Sequence, residues 1–304
     1  MCLNVLVANI KNMEIWTIKK LLDWMTGHFT DKKIDSPRLT AELLLSSVLN
    51  MQRIELYMNF DKEVEKANLE KLRDLVKRCL NNEPVQYLIG RTEFYSISLK
   101  VSPVCLIPRP ETELLVERAI EFLRTRTGTQ HVCDLCTGSG CIAVAIAKNF
   151  ADANIIATDI CDQALSVAAE NVAKYNLGEK VRLLQGDLFK PVIDQLDGRE
   201  FDVIISNPPY ISHPELEKLE PKVKNHEPQL ALNGGPEGLD IYRRIADEIG
   251  NHLKKDGLLL LEIGYLQGQA VKQILEETNL FGEIKVEKDL SNNDRIVSAI
   301  KVKE

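Results

Sequence analysis

The 304-residue sequence lacks an apolar run of the ~18 residues that a membrane-spanning helix needs, which argues against a membrane span. It also lacks an excess of positive charge. Lys and Arg total 38 against 45 Asp and Glu, a net charge of −7, so the whole-chain footprint of a nucleic-acid binder is missing. The opening stretch Met1 to Ile10 is apolar, but it has neither a basic start nor a small-residue cleavage site, and no secretory signal is expected. The seven cysteines are odd in number and sit among apolar residues, as reduced thiols do rather than a disulfide framework. Cys133 and Cys136 form a C-x-x-C with His131 before it and Cys141 after it. No second ligand pair stands at zinc-site spacing, so no metal is expected. A soluble, cytoplasmic protein is the expectation.

What is present is ordinary globular material: 44% hydrophobic and 27% charged residues, with 16 Gly and 12 Pro, enough for one large domain or two moderate ones. Helical spacing of Ile15, Ile18, Leu21, Leu22 and Met25 predicts a helix over 13–28. Ser36-Pro37, cap and first turn, opens a second with Leu39, Leu43, Leu44 and Val48 on its apolar face. A third, over 63–80, carries Leu69, Leu72, Leu75, Val76 and Leu80. Residues 1–81 are therefore expected to form a small helical bundle for packing or partner docking.

Asn81-Asn82-Glu83-Pro84 breaks the helix. The pattern then turns β-like through Phe94, Ile97, Leu99 and Val101, which predicts a β-hairpin linker over 82–104. From 105 to 304 a helix over 111–123 precedes alternating strands and helices. Strands are predicted over 131–135, 154–158, 181–185, 201–206 and 258–263, with helices over 140–150, 162–176, 238–253 and 267–277. Two tail strands, 284–290 and 296–302, follow. The alternation implies a mostly parallel sheet covered on both faces, with an antiparallel edge.

The chemistry is expected beyond the carboxyl ends of the strands. The first candidate is the turn Asp134-Leu135-Cys136-Thr137-Gly138-Ser139-Gly140, where glycines allow close backbone approach and the next helix offers free N–H groups. Asp159 ends the following strand, at a distance suited to gripping the two hydroxyls of a ribose. The dinucleotide fingerprint G-x-G-x-x-G is not met, since Cys136, Gly138 and Cys141 occupy its three positions, and no Gly-Lys-Ser/Thr of a P-loop follows. Asp187 stands in Gly186-Asp187-Leu188-Phe189 after the third strand, where a turn cap is one reading. The second candidate is Asn207-Pro208-Pro209-Tyr210 after the fourth strand. Its prolines remove donors and stiffen the turn, leaving carbonyls and the Asn oxygen as acceptors for a planar NH₂ group, with an aromatic ring to stack on it.

The pattern D-x-x-x-G-x-G after a strand resembles the S-adenosylmethionine site of class I methyltransferases, and NPPY resembles the signature of enzymes that methylate amino groups on adenine, cytosine or glutamine. Further segments narrow the likeness: EPVQYLIG from Glu83, LIPRPETE from Leu106, HEPQLAL from His226, GGPEGLD from Gly234, and Lys288-Asp289-Leu290 with Asp294-Arg295. Together they resemble the HemK/PrmC family of peptide chain release factor N5-glutamine methyltransferases, over about residues 35–302.

The resemblance implies an α/β class I methyltransferase fold (Rossmann-like, with an antiparallel edge strand) over 105–304, a docking role for the bundle, and release factors as the protein substrate. By position it assigns the cofactor S-adenosylmethionine to Cys136, Thr137, Gly138, Ser139, Gly140, Asp159, Asp187, Leu188 and Asn207. The glutamine falls to Asn207, Pro208, Pro209 and Tyr210, with Asn207, Pro208 and Tyr210 as the catalytic set. Cys136 stands where the family usually has Gly; a positive φ there costs ~1 kcal/mol. Arg109, Glu111 and Glu113 have two readings: a substrate mouth, or an acidic helix start. His213 and His226 are expected to be exposed loop residues. A nucleic-acid amino-methyltransferase is the rival activity, and the acidic charge counts against it; a scaffold without cofactor binding is the non-enzymatic alternative.

Overall fold

The computed structural model describes residues 15–192 and 200–303, which divide into two compact units at Gly90/Arg91. The first is helical: α1 Ile18–Asp31, α2 Pro37–Leu49, the short α3 Arg53–Met58, α4 Lys66–Leu80 and the single turn α5 Val85–Ile89. Leu21, Leu22, Met25, Phe29, Leu44, Leu45, Leu72 and Val76 fill its core. Ile15 and Leu39, assigned to apolar faces by spacing, are exposed instead, and α2 buries Ala41, Leu44 and Leu45. Ser36 stands at the cap position of α2 in the left-handed region but makes no side-chain cap bond; Pro37 opens the helix as expected. Glu42 is the one deeply buried carboxylate among the described residues of this unit, held by Arg38 and Arg53 with the Tyr57 hydroxyl donating to it. Its three donors hold its carboxyl below the usual range against the opposing effect of burial.

The second unit opens with a hairpin, β1 Arg91–Phe94 and β2 Ile97–Lys100, turned by Tyr95 and Ser96 at φ 50° and 57°. Two left-handed residues in succession define the tight turn that matches strand twist. Phe94, Ile97 and Leu99 are buried in one core with Leu115, Val116, Val144 and Val203. The segment 82–104, read as a linker, is thus divided between the two units: α5 ends at Gly90 with φ 70°, and the hairpin packs into the larger core.

After α6 Glu113–Leu123 come β3 Gln130–Leu135, α7 Cys141–Asn149, β4 Ala153–Asp159, α8 Asp162–Lys174, β5 Val181–Gln185 and β6 Phe201–Ser206. The short α9 His213–Leu216 and α10 Pro221–Lys224 follow, then α11 Asp240–Glu248, β7 Leu253–Glu262, α12 Gly268–Glu277, β8 Phe281–Lys288 and β9 Asp294–Lys301. The sheet order is β5-β4-β3-β6-β7-β9-β8. The first five strands are parallel; β9 runs antiparallel to both neighbours and lies one strand in from the edge, with β8 outside it. β7 begins at Leu253, five residues before the leucine run, and pairs irregularly with β6 between Phe201 and Val203. The helix expected up to Leu253 therefore stops at Glu248, followed by a 3-10 turn over Ile249–Asn251.

Apolar residues cover both sheet faces, with Ile142, Val144, Val203 and Ile205 in one cluster and Phe189, Tyr242, Leu259 and Leu261 in the other. Residues of β3 and β6 are buried on both sides, as a central parallel strand requires. Register sets Leu135 opposite Thr158 and Ser206, and Ser206 opposite Leu261. The carboxyl ends of β3, β4, β6 and β7 therefore finish level, and strand order reverses between β3 and β6.

One side chain joins the hairpin to this edge. Asn171 on α8 is fully buried; its Oδ1 accepts from Lys100 N at 2.7 Å, and its Nδ2 donates to Lys100 O at 3.0 Å and Ser139 O at 2.9 Å. Asn171→Ala leaves those backbone groups without partners and should cost ~2–3 kcal/mol of stability, measured by chemical denaturation. A loss under ~0.5 kcal/mol would contradict this placement.

Candidate active site

The turn after β3 is built from three left-handed residues, Cys136 at φ 59°, Gly138 at 56° and Gly140 at 77°. At Gly140 an added Cβ would come 3.1 Å from Ala168 Cβ on α8, so close helix packing also demands glycine there. At Gly138 an added Cβ would enter open space. Cys136 holds the left-handed conformation without being glycine, a strain of ~1 kcal/mol, and is packed against the core cluster that includes Leu188, Phe189 and Tyr242. The turn is anchored by Thr137 N–H to Thr158 O at 3.0 Å and by Thr137 Oγ1 donating to Asp134 Oδ2 at 2.5 Å.

Asp159 ends β4 with its carboxylate locked by backbone donors: Gly138 N to Oδ2 at 2.8 Å and Cys161 N to Oδ1 at 2.9 Å. Each oxygen keeps a further lone pair. Burial raises its pKa, opposed by these amides. Asp187 is held in another way: Arg244 on α11 bonds Oδ1 at 2.6 Å and Lys190 bonds Oδ2 at 3.1 Å, and the Arg244 hydrogen bond leads in keeping its carboxyl below the usual range. Leu188, at φ 51°, is buried beneath.

These groups meet the Asn-Pro-Pro-Tyr turn in one cleft. Thr137, Gly138, Ser139, Asp159, Asp187 and Asn207 all line it. Cys136, Leu188 and Pro209 also line it, whereas Gly140, Pro208 and Tyr210 do not. Gly140 instead caps α7, Pro208 is buried, and the Tyr210 hydroxyl turns to Glu262 Oε1 at 3.4 Å. The stacking ring expected at Tyr210 is therefore not a wall of this cleft. Opposite walls come from Val104 to Pro108 and from Pro228 to Asn233. Arg109 joins those two loops through Glu227, whose side chain is 1% exposed, at 2.5 Å. Glu113 accepts from Tyr95 N at 2.8 Å and so fixes the hairpin turn, and Glu111 is exposed. His213 is exposed and His226 half-buried.

Two buried hydroxyls at the cleft, Ser139 Oγ and Thr158 Oγ1, have no hydrogen-bond partner. With the open space at Gly138 and the fixed Asp159 carboxylate, they form a polar cradle that fits a nucleoside bearing an amino-acid arm. Among the described residues no three His, Cys, Asp or Glu side chains converge as a metal would require, and no helix is long and apolar enough to cross a membrane.

Sequence reading passed over Thr112, Glu262 and Arg244. Asn207 Nδ2 donates to Thr112 Oγ1 at 3.2 Å, and Thr112 Oγ1 donates to Glu262 Oε2 at 2.6 Å. Glu262 was discoverable as the single acid closing the run Leu258 to Leu261. Arg244 carried no signal, because its partner lies 57 residues away in the chain.

A strand order reversing between β3 and β6, a glycine turn and an acidic strand end define a class I methyltransferase fold. Residues 20–90 match the PrmC N-terminal domain family and residues 111–223 the methyltransferase small domain family. The chain is 40% identical to a release factor glutamine methyltransferase of Geobacter sulfurreducens, over 93% of this chain and 96% of that one. It is 42% identical to one of Rhodopirellula baltica, over 96% and 99%. Among solved structures, a release factor-specific protein-(glutamine-N5) methyltransferase from Alicyclobacillus acidocaldarius is 31% identical, covering 67% of this chain and 99% of that one, with a TM-score of 0.42. The chain belongs to the release factor glutamine methyltransferase family.

Two fully buried carboxyls beside the cleft, Asp134 and Glu262, are each pushed up to about 7 by burial. Both serve as acceptors, for Thr137 and Thr112, and protonation removes an acceptor lone pair. A raised carboxyl pKa means the ionised form is lost as pH falls through it, so kcat at saturating substrates should decline from about pH 8 to about pH 6. A flat profile across that window would contradict these roles.

Proposed function

We propose that the chain transfers the methyl group of S-adenosylmethionine to the side-chain amide nitrogen, N5, of the glutamine in the Gly-Gly-Gln motif of bacterial peptide chain release factors. The observation that carries this reading is a carboxamide, Asn207, held by its Nδ2 to Thr112 in the same cleft as the glycine turn and Asp159. It agrees with the relatives, which are release factor glutamine methyltransferases.

Cys136 to Gly140 would cradle the amino-acid end of the cofactor, and Asp159 would accept from the ribose hydroxyls. Asp187, oriented by Arg244, and Leu188 would border the adenine. The bound cofactor supplies a sulfonium methyl whose transfer discharges a positive charge. The protein's task is to ready a poor nucleophile, because an amide nitrogen's lone pair is delocalised into its carbonyl. Asn207 Oδ1 would accept one N–H bond, and the carbonyl of Pro208, whose ring is buried behind the turn, would accept the other once the substrate is seated, aiming the nitrogen at the methyl for in-line displacement. Proximity and fixed acceptors supply most of the rate, and the proton departs to water after transfer. Tyr210, with its hydroxyl on Glu262, buttresses this turn from below.

Asn207→Ala should reduce methylation of a purified bacterial release factor by at least ~10³-fold, while the calorimetric Kd for S-adenosylmethionine changes by less than about threefold. Turnover within about tenfold of wild type would sink the scheme.

A further inference from the structure

Asn207 can accept from a substrate amide only if its carbonyl, not its NH₂, faces the cleft. Rotating a carboxamide by half a turn exchanges the two with almost no change of shape, so a neighbour must decide between them. Thr112 is that neighbour. Its Oγ1 receives the Asn207 Nδ2–H at 3.2 Å and donates its own proton to Glu262 Oε2 at 2.6 Å. A hydroxyl has a single proton to give. While the carboxylate takes it, Thr112 offers Asn207 lone pairs only. Asn207 must then turn its NH₂ to Thr112, leaving Oδ1 for the cleft that both residues line.

The placement of Glu262 supports this logic. It closes β7 after four leucines and is 1% exposed, a costly location for a carboxylate. Its second oxygen receives the Tyr210 hydroxyl at 3.4 Å, its backbone carbonyl receives the Tyr242 hydroxyl at 2.7 Å, and the Arg295 guanidinium nearby favours its charged form. Tyr210 belongs to the same turn as Asn207, so one carboxylate holds the turn at two points, directly through Tyr210 and through Thr112 to Asn207.

We infer that Glu262, acting through Thr112, is the positioning residue that sets the orientation of the Asn207 carboxamide and hence the acceptor polarity of the methyl-accepting site. The inference rests on the glutamine-amide reading of the cleft. With an apolar side chain at 262, the Thr112 proton is free to go to Asn207 Oδ1. The carboxamide then presents NH₂ to the incoming NH₂ of the substrate, donor against donor, and the nitrogen lone pair is no longer aimed.

The test compares Thr112→Val, which keeps the shape and removes the hydroxyl, with Thr112→Ser, which restores it, and with Glu262→Met, which fills the apolar site without an acceptor. The readouts are kcat on a purified bacterial release factor at saturating S-adenosylmethionine, and the calorimetric Kd for that cofactor. Thr112→Val and Glu262→Met should each lower kcat at least ~10-fold with Kd within about twofold of wild type, and Thr112→Ser should stay within about threefold in both. The inference is overturned if Thr112→Val and Glu262→Met keep kcat within about threefold, if Thr112→Ser loses as much as Thr112→Val, or if Kd weakens in step with kcat. Should one of the two disabling variants not fold, the other against Thr112→Ser decides. Asn207→Ala, assayed alongside, separates the two levels. Normal turnover there removes the acceptor reading itself, whereas an inactive Asn207→Ala beside active Thr112→Val and Glu262→Met removes only the role of Glu262.

Discussion

The parallel register of β3, β4, β6 and β7 is the constraint on which the rest of the structure depends. Hydrogen bonding sets Leu135, Thr158, Ser206 and Leu261 side by side. The residues that follow them, the glycine turn from Cys136, Asp159, Asn207 and Glu262, must then emerge at one edge. A slip of one residue in any pair would carry each side chain of that strand from one core to the other, so the two apolar cores fix the geometry of the cleft as well as the fold. Chain reversal between β3 and β6 opens a crevice there.

Against that frame the protein places several buried polar groups. Asp134 and Glu262 are fully buried carboxylates, each serving a threonine hydroxyl, and Asn171 spends three hydrogen bonds tying the hairpin and the glycine turn to α8. Buried polar groups are stable only when paired. Their pairing makes the loops at the cleft stiff without regular structure, and stiffness is what a reaction dependent on aiming a weak nucleophile needs. Ser139 Oγ and Thr158 Oγ1 are among the buried polar atoms left without a partner, and both residues line the cleft.

Much of this was legible in the sequence because it is local. Short apolar-rich stretches announced β3 and β6 and an uninterrupted leucine run the core of β7; the glycine turn, Asp159 and the NPPY turn are short motifs read off consecutive residues. The bundle and the alternating sheet emerged from periodicity. What escaped was either long-range or hidden by a misleading neighbour. Thr112 and Glu262 are 150 residues apart and meet only because β7 and the turn before α6 pack together. The hairpin's assignment to the second unit depends on where Phe94, Ile97 and Leu99 are buried, which spacing alone does not specify. Lys254 to Gly257 fell between a predicted helix and a predicted strand, yet β7 runs through it, with an irregularity in its pairing to β6. Tyr210 stands in a motif the sequence announces, but the partner of its hydroxyl, Glu262, lies 52 residues further along the chain. The strain at Cys136 did follow from sequence, since its φ of 59° is the conformation a glycine would adopt there.

The central claim, that this cleft holds a glutamine amide nitrogen against the cofactor's methyl group, is tested most directly by locating the product. A purified bacterial release factor incubated with the protein and isotope-labelled S-adenosylmethionine, then digested and sequenced by tandem mass spectrometry, should carry one labelled methyl on the side-chain nitrogen of the Gly-Gly-Gln glutamine. Label on any other residue, or none on the release factor while added nucleic acid is methylated, would contradict it.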